Sequence, residues 1–181
     1  MSFALCVFCG SALGARPEYA DAARATGTEI GRRGWTLVYG GGRVGLMGVL
    51  ADAALAAGAP IVGVIPRFLF ELEVAHPGLS SLEVVATFAE RKQRMGELSS
   101  AFLSLPGGVG TMDELFEAWS WTHARLQSKP SGLLNVAGYY DSLLEFIATM
   151  EREQLLYPAS RAILASGNDV TELLDRLSMR S

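Results

Sequence analysis

The sequence predicts a doubly wound α/β protein, a Rossmann-like parallel sheet of about seven strands with helices on both faces. Three observations predict it. Short apolar runs recur from end to end, and they are continuous where half-exposed strands would alternate, as expected of strands covered on both sides. Stretches of helical period separate those runs. Glycine-rich turns follow several of them, beginning at Gly10, Gly40 and Gly107, where the carboxyl ends of parallel strands would line one common crevice.

The strands are predicted at residues 3–9, 36–39, 61–65, 83–86, 101–105, 132–136 and 162–165. Between them, Tyr19, Ala22, Ala23, Thr26 and Ile30 mark a helix entered through Pro17 and left at Gly34. Leu46, Val49, Leu50, Ala53, Ala54 and Ala57 mark a second, closed by Gly58. Further helices are expected at 89–99, 139–153 and 170–177. The stretch from Pro66 to Ser81 is the least regular, and such loops often border a site. No repeat or interdomain linker interrupts the pattern, so residues 1–181 read as one nucleotide-binding or hydrolase domain.

Composition narrows the function classes. Half the residues are apolar, yet no apolar run is long enough to span a bilayer and no signal peptide is evident, which predicts a soluble, cytoplasmic protein. A net charge of −4 and a pI near 5.2 argue against sequence-independent binding to nucleic acid. Cys6 and Cys9 form a C-x-x-C, but an odd offset along a strand sends them to opposite faces, as buried thiols. His76 and His123 lack partners at metal-ligand spacing, and no metal site is predicted.

The chemistry concentrates between Leu105 and Glu117. Gly107, Gly108 and Gly110 allow positive φ and close approach of a ligand, and Thr111 is a natural N-cap for the amphipathic helix that follows. Unpaired N–H groups at such a helix start, together with its dipole, favour an anion, and a phosphate fits best. The same residues have the form of a capping box in which Thr111 and Glu114 satisfy each other, so Glu114 can be read as a cap or as a site carboxylate. Helical spacing favours the second: Met112, Leu115, Phe116 and Trp119 share an apolar stripe, while Glu114, Glu117 and Trp121 fall on the other side.

Two other features admit two readings each. Gly40, Gly42 and Gly45 satisfy G-x-G-x-x-G, but the next strand ends Ile65-Pro66-Arg67 without the acid that would hold a ribose, so helix–strand packing competes with a nicotinamide cofactor. Arg91-Lys92-Gln93-Arg94 is either a solvated helix face or a source of cations for the site. Helical geometry sets Arg91 and Arg94 together and turns Lys92 away.

Taken together, Cys6-Val7-Phe8-Cys9-Gly10-Ser11, Tyr39-Gly40-Gly41-Gly42, Gly45-Leu46-Met47-Gly48, Arg91-Lys92 and Pro106-Gly107-Gly108-Val109-Gly110-Thr111-Met112-Asp113-Glu114 resemble the LOG family of cytokinin riboside 5'-monophosphate phosphoribohydrolases, often labelled lysine decarboxylase-like. The last segment matches that family's P-G-G-x-G-T-x-x-E signature. The resemblance implies hydrolysis of the N-glycosidic bond of a nucleoside 5'-monophosphate, an AMP or N6-modified AMP, to free base and ribose 5-phosphate, without metal or organic cofactor. It implies Arg91 and Glu114 as the catalytic pair and Glu73 as an acidic sugar contact. Lys92 would be a second basic contact, Gly107, Gly108, Val109, Gly110, Thr111, Met112 and Asp113 the phosphate-loop wall, and Ser120 a hydroxyl where the family has threonine. It also implies a homodimer with sites near the interface. Phe88-Ala89 stands where the family often has Met-His, Ser99-Ser100 where an acid commonly precedes the strand, and Arg125 to Gln127 departs from the usual approach to Lys129-Pro130. A pyridoxal phosphate decarboxylase needs a Schiff-base lysine, and neither Lys92 nor Lys129 has such a setting. The rival reading is a non-catalytic carrier or sensor of the same fold, which would need the glycine turns but no Glu114 chemistry.

Overall fold

In the computed structural model, which describes residues 3–72 and 75–179, strands and helices alternate as expected. The first half runs β1 (Ala4–Phe8), α1 (Pro17–Arg32), β2 (Thr36–Tyr39), α2 (Gly45–Ala56), β3 (Ile61–Pro66), α3 (Arg67–Leu72), β4 (Ser81–Val85) and α4 (Phe88–Leu98). The second half runs β5 (Ala101–Ser104), α5 (Val109–His123), β6 (Ser131–Leu134), α6 (Asp141–Arg152), α7 (Pro158–Ile163), β7 (Leu164–Gly167) and α8 (Val170–Ser178), with a 3-10 turn at Val136–Gly138.

All seven strands join one parallel sheet in the order β4-β3-β2-β1-β5-β6-β7. The chain builds outward from β1 to β4, returns to pair β5 with β1 at Leu5↔Ala101 and Phe8↔Ser104, and builds outward again on the other side. The reversal between β1 and β5 is where ligands enter open α/β sheets, because the connections diverge there and leave a crevice at the strand ends.

Period-two burial divides the core. Leu5, Val7, Cys9, Leu37, Tyr39 and Leu103 pack under α1, α2 and α8, while Cys6, Phe8, Val38, Val64 and Phe102 face Met95 of α4 and Ala118 of α5. Cys6 and Cys9 thus lie on opposite faces, both free thiols and both buried, and burial pushes each thiol up from its ordinary range. A third cluster joins Leu115 and Trp119 of α5 to Leu133, Tyr140, Ile147 and Leu164. No helix of the described residues is long and apolar enough to cross a membrane.

The architecture is the predicted one, with corrections at its margins. α3 and α7 were not expected: each is six residues long, too short to show a helical period. Because Ala162 and Ile163 complete α7, β7 begins two residues later than the apolar run suggested.

Candidate active site

The turns after β1 and β5 meet at the reversal, where the Gly10 N–H donates to the Pro106 carbonyl at 3.1 Å. Beside them opens a cleft of about 300 Å³. Gly10 and Ser11 line it from the first turn and Gly40 from the turn after β2; Gly108, Val109, Gly110, Thr111 and Glu114 line it from α5. The glycine turns therefore do share one crevice. Arg91 and Phe88 of α4, Leu69 of α3 and Met47 of α2 line it as well, and the end of β1 adds Val7 and Phe8, with Cys9 just after them.

The start of α5 differs from the expected Thr111 cap, and with it the capping-box reading falls. Gly108 occupies the N-cap position in extended conformation, no side chain caps the helix, and Thr111 lies buried within the first turn. That leaves the leading N–H groups of the helix without side-chain partners, and no acidic residue stands in the first turn to compete with an incoming anion. None of Gly107, Gly108 and Gly110 adopts positive φ, so space and not backbone freedom explains them. A Cβ on Gly107 would overlap the Thr111 side chain, whereas one on Gly108 or Gly110 meets nothing within 4 Å, so both border open space.

Glu114 is consequently no cap. It sits one turn inside α5 with its side chain 12% exposed, and its Oε1 lies 3.7 Å from Nη1 of Arg91. Arg91 reaches this position from α4 with its Nε donating to the Val64 carbonyl at 3.0 Å. Gly40 makes room for it: a Cβ there would collide with the Arg91 guanidinium, which assigns the first glycine of G-x-G-x-x-G a role in admitting a cation. Burial pushes the Glu114 carboxyl up to about 7, an effect that outweighs the opposing pull of Arg91 and is reinforced by Asp113. A carboxylate so placed is half-ionised near neutrality, where a proton acceptor works best.

The remaining predicted residues distribute unevenly. Lys92 does not line the cleft; its Nζ lies 2.8 Å from the carboxylates of both Asp113 and Glu117, tying α4 to α5. Asp113 is therefore an exposed ion-pair partner beside the cleft, and Met112 packs against the cluster around Leu115 and Trp119. Gly107 lines an adjoining hollow, where its carbonyl accepts the Tyr139 hydroxyl at 2.6 Å. Ser120 is exposed on the far side of α5, in an apolar groove with Phe116, Met150 and Leu155. Arg94 parts from Arg91, because Glu83 on β4 takes its Nε at 2.6 Å and Glu97 its Nη1 at 3.1 Å. Glu73 lies outside the described residues. Sequence reasoning did not single out Met47, Leu69 or Phe88 as cleft residues. Phe88 was accessible through its i,i+3 spacing to Arg91, but Leu69 lies on a helix too short to announce itself.

A cytokinin riboside 5'-monophosphate phosphoribohydrolase of Arabidopsis thaliana is 43% identical over 173 residues, covering 96% of this chain and 81% of that protein. The chain belongs to the LOG family. A probable member from Oryza sativa subsp. japonica is 42% identical over 177 residues, covering 98% of this chain and 71% of its own length. The family model described as "Possible lysine decarboxylase" matches residues 47–177. That description finds no echo in the cleft: Lys92 is held between two carboxylates, and Lys129 donates to the Gly96 carbonyl at 2.5 Å. Among solved structures, the molybdenum cofactor carrier protein of Chlamydomonas reinhardtii superposes with a TM-score of 0.75 at 18% identity, covering 99% of this chain and 98% of that one. The molybdenum cofactor binding protein of Rippkaea orientalis does so with a TM-score of 0.76 at 19% identity, covering 99% and 97%. Likeness at that identity extends the fold beyond the LOG family and leaves the chemistry to the cleft.

Proposed function

We propose that this protein hydrolyses the N-glycosidic bond of adenosine 5'-monophosphate and its N6-modified, cytokinin-type derivatives, releasing free base and ribose 5-phosphate. The observation that carries the reading is the Glu114–Arg91 pair set one turn behind an uncapped, acid-free helix start. The substrate phosphate rests on the N–H groups of the Gly108–Thr111 turn. At about 1.5 Å of rise per residue, Glu114 stands roughly 6 Å further along the helix than Gly110, level with the sugar of a nucleotide anchored there. As the bond between the anomeric carbon and the base breaks, its electrons leave with the base and positive charge develops on the ribosyl ring. Ionised Glu114 stabilises that charge and accepts a proton from the water that adds to the anomeric carbon. The departing base takes up a proton from solvent and Glu114 returns its own, so that one water is consumed for each bond broken. Arg91 orients Glu114 and the sugar. No step calls on a metal or organic cofactor.

The deciding experiment incubates purified protein with AMP and with isopentenyl-AMP and follows free base and ribose 5-phosphate by chromatography. Binding of both nucleotides without product would favour the carrier reading.

The glycine turn gives a separate test. Gly110→Ala adds a methyl group to a helix position with open space around it, so the fold should be stabilised, by up to about 1 kcal/mol. That methyl occupies the phosphate cradle. The expected result is a higher denaturation midpoint together with a KM for AMP raised about tenfold or more; an unchanged KM would move the phosphate elsewhere.

Assembly as a homodimer and a cytoplasmic location belong to the same proposal. Leu126, Leu155 and Tyr157 are 76%, 80% and 70% exposed, and Leu155 joins Phe116 in the groove beside Ser120. A partner covering that apolar surface would remove it from water. Light scattering should return twice the 19.3 kDa chain mass; a monomer at working concentration would count against it.

A further inference from the structure

Phe88 is the first residue of α4, three positions before Arg91, so the two side chains share the face that α4 turns to the cleft. Their burial differs. Arg91 is largely enclosed, with 12% of its side chain exposed, whereas Phe88 is 49% exposed at the edge of the cleft. Burying an aromatic ring is favourable, and one left half open in a cleft beside the candidate catalytic pair is a surface held ready for a flat partner. The ring is not loose: Phe68 of α3 meets it edge to face, with centroids 5.2 Å apart and planes at 75°. Leu69 from α3 and Met47 from α2 add apolar surface to the same cleft.

We propose that Phe88 is the base-stacking residue of this site, its ring lying against the purine while Phe68 holds its orientation. The inference rests on the reading of the cleft as a nucleoside monophosphate site. A ribose anchored by its 5'-phosphate at the start of α5 carries its base on the opposite side of the anomeric carbon. With Glu114 and Arg91 at that carbon, the base projects past Arg91, and Phe88 follows next along the same helix face. The described residues of that part of the cleft, Met47, Leu69 and Phe88, have apolar side chains, so the base is gripped there through its faces and not read at its edge. Stacking of a base on an aromatic side chain is worth about 1–3 kcal/mol, which corresponds to roughly 5- to 150-fold in affinity.

The test compares AMP with ribose 5-phosphate, which keeps the phosphate and sugar but lacks the base. Binding of each is measured by calorimetry in a Glu114→Gln background, where turnover does not consume AMP. Phe88→Ala should weaken AMP about tenfold or more and leave ribose 5-phosphate unchanged, and Phe88→Tyr should restore AMP binding where Phe88→Leu does not. Equal weakening of both ligands would show that Phe88 only holds α4 and Arg91 in place, and would overturn the proposal. So would unchanged AMP binding in Phe88→Ala, or full rescue by leucine. Because the readout is binding, a parent protein that fails to hydrolyse AMP would remove the proposed activity while leaving this result to be judged separately.

Discussion

Glu114→Gln is expected to abolish hydrolysis while making the protein more stable above neutral pH. Glutamine keeps the shape of the side chain and can hydrogen-bond, but it can neither accept a proton from water nor oppose positive charge on a ribosyl ring. General base catalysis alone contributes about 10²- to 10⁴-fold, and loss of charge stabilisation adds to it, so the expected fall in kcat is at least about 1,000-fold. The stability gain follows from linkage. Burial raises the Glu114 carboxyl from its ordinary 4.5 to about 7, so the folded protein resists an ionisation that the unfolded chain undergoes freely. The native state therefore has the full benefit of a neutral Glu114 below about pH 4.5 and loses it as pH rises through about 7. At about 1.4 kcal/mol per pKa unit, the rise from 4.5 to about 7 puts the cost of keeping this carboxylate ionised above neutrality at roughly 3 to 4 kcal/mol, a net figure that already includes the pull of Arg91. Urea unfolding of parent and variant at pH 5 and pH 8 should show near-equal stabilities at the lower pH and a more stable variant at the higher. Retained turnover would dismiss Glu114 from the chemistry, and matched stabilities at pH 8 would mean that its charge is not confined by burial.

Thr111-Met112-Asp113-Glu114 satisfies every rule for a helix start, and the helix nonetheless begins at Val109 with Gly108 as its cap. The local pattern could not reveal this, because the competing arrangement depends on the turn after β5 meeting the turn after β1. The strands posed no such difficulty. Runs such as Leu5-Cys6-Val7-Phe8 are buried on both faces, so their composition alone announces a covered parallel sheet, although the order of the strands within it is not written in any one run.

Charge pairing was the least legible feature. Arg91, Lys92 and Arg94 are near neighbours in sequence and end in three environments. Glu114 takes Arg91 and Asp113 with Glu117 takes Lys92 from α5, while Glu83 takes Arg94 from β4, elements that only the folded sheet brings close to α4. Helical spacing alone grouped Arg91 with Arg94. The decisive information was Gly40, whose missing side chain leaves the space into which one guanidinium fits. Read as part of a dinucleotide fingerprint, that glycine concerns only the turn it sits in; read against its neighbour in space, it explains how Arg91 enters the cleft.

Arg91→Ala should therefore act in two separable ways, by loosening the substrate and by changing the acidity of Glu114. Arg91 is the cation that pulls the Glu114 carboxyl down against burial, so its removal moves that carboxyl still higher than about 7. If activity requires ionised Glu114, kcat/KM rises with pH through the Glu114 titration, and the variant needs a more alkaline medium to reach its own plateau. The substrate phosphate also titrates, near pH 6, but it does so identically for both proteins, so the displacement between the two profiles reports Glu114 alone. At pH 7 the variant is expected to lose about 100-fold or more in kcat/KM, and part of that loss should be recovered towards pH 9. Arg91→Lys keeps a positive charge without the planar fork that reaches both the Val64 carbonyl and Glu114, so it should hold the profile nearer its original position while still losing rate. A profile that stays in place while kcat/KM falls would mean that Arg91 grips the substrate and leaves Glu114 untouched; full activity in the alanine variant would place the ion pair outside the mechanism altogether.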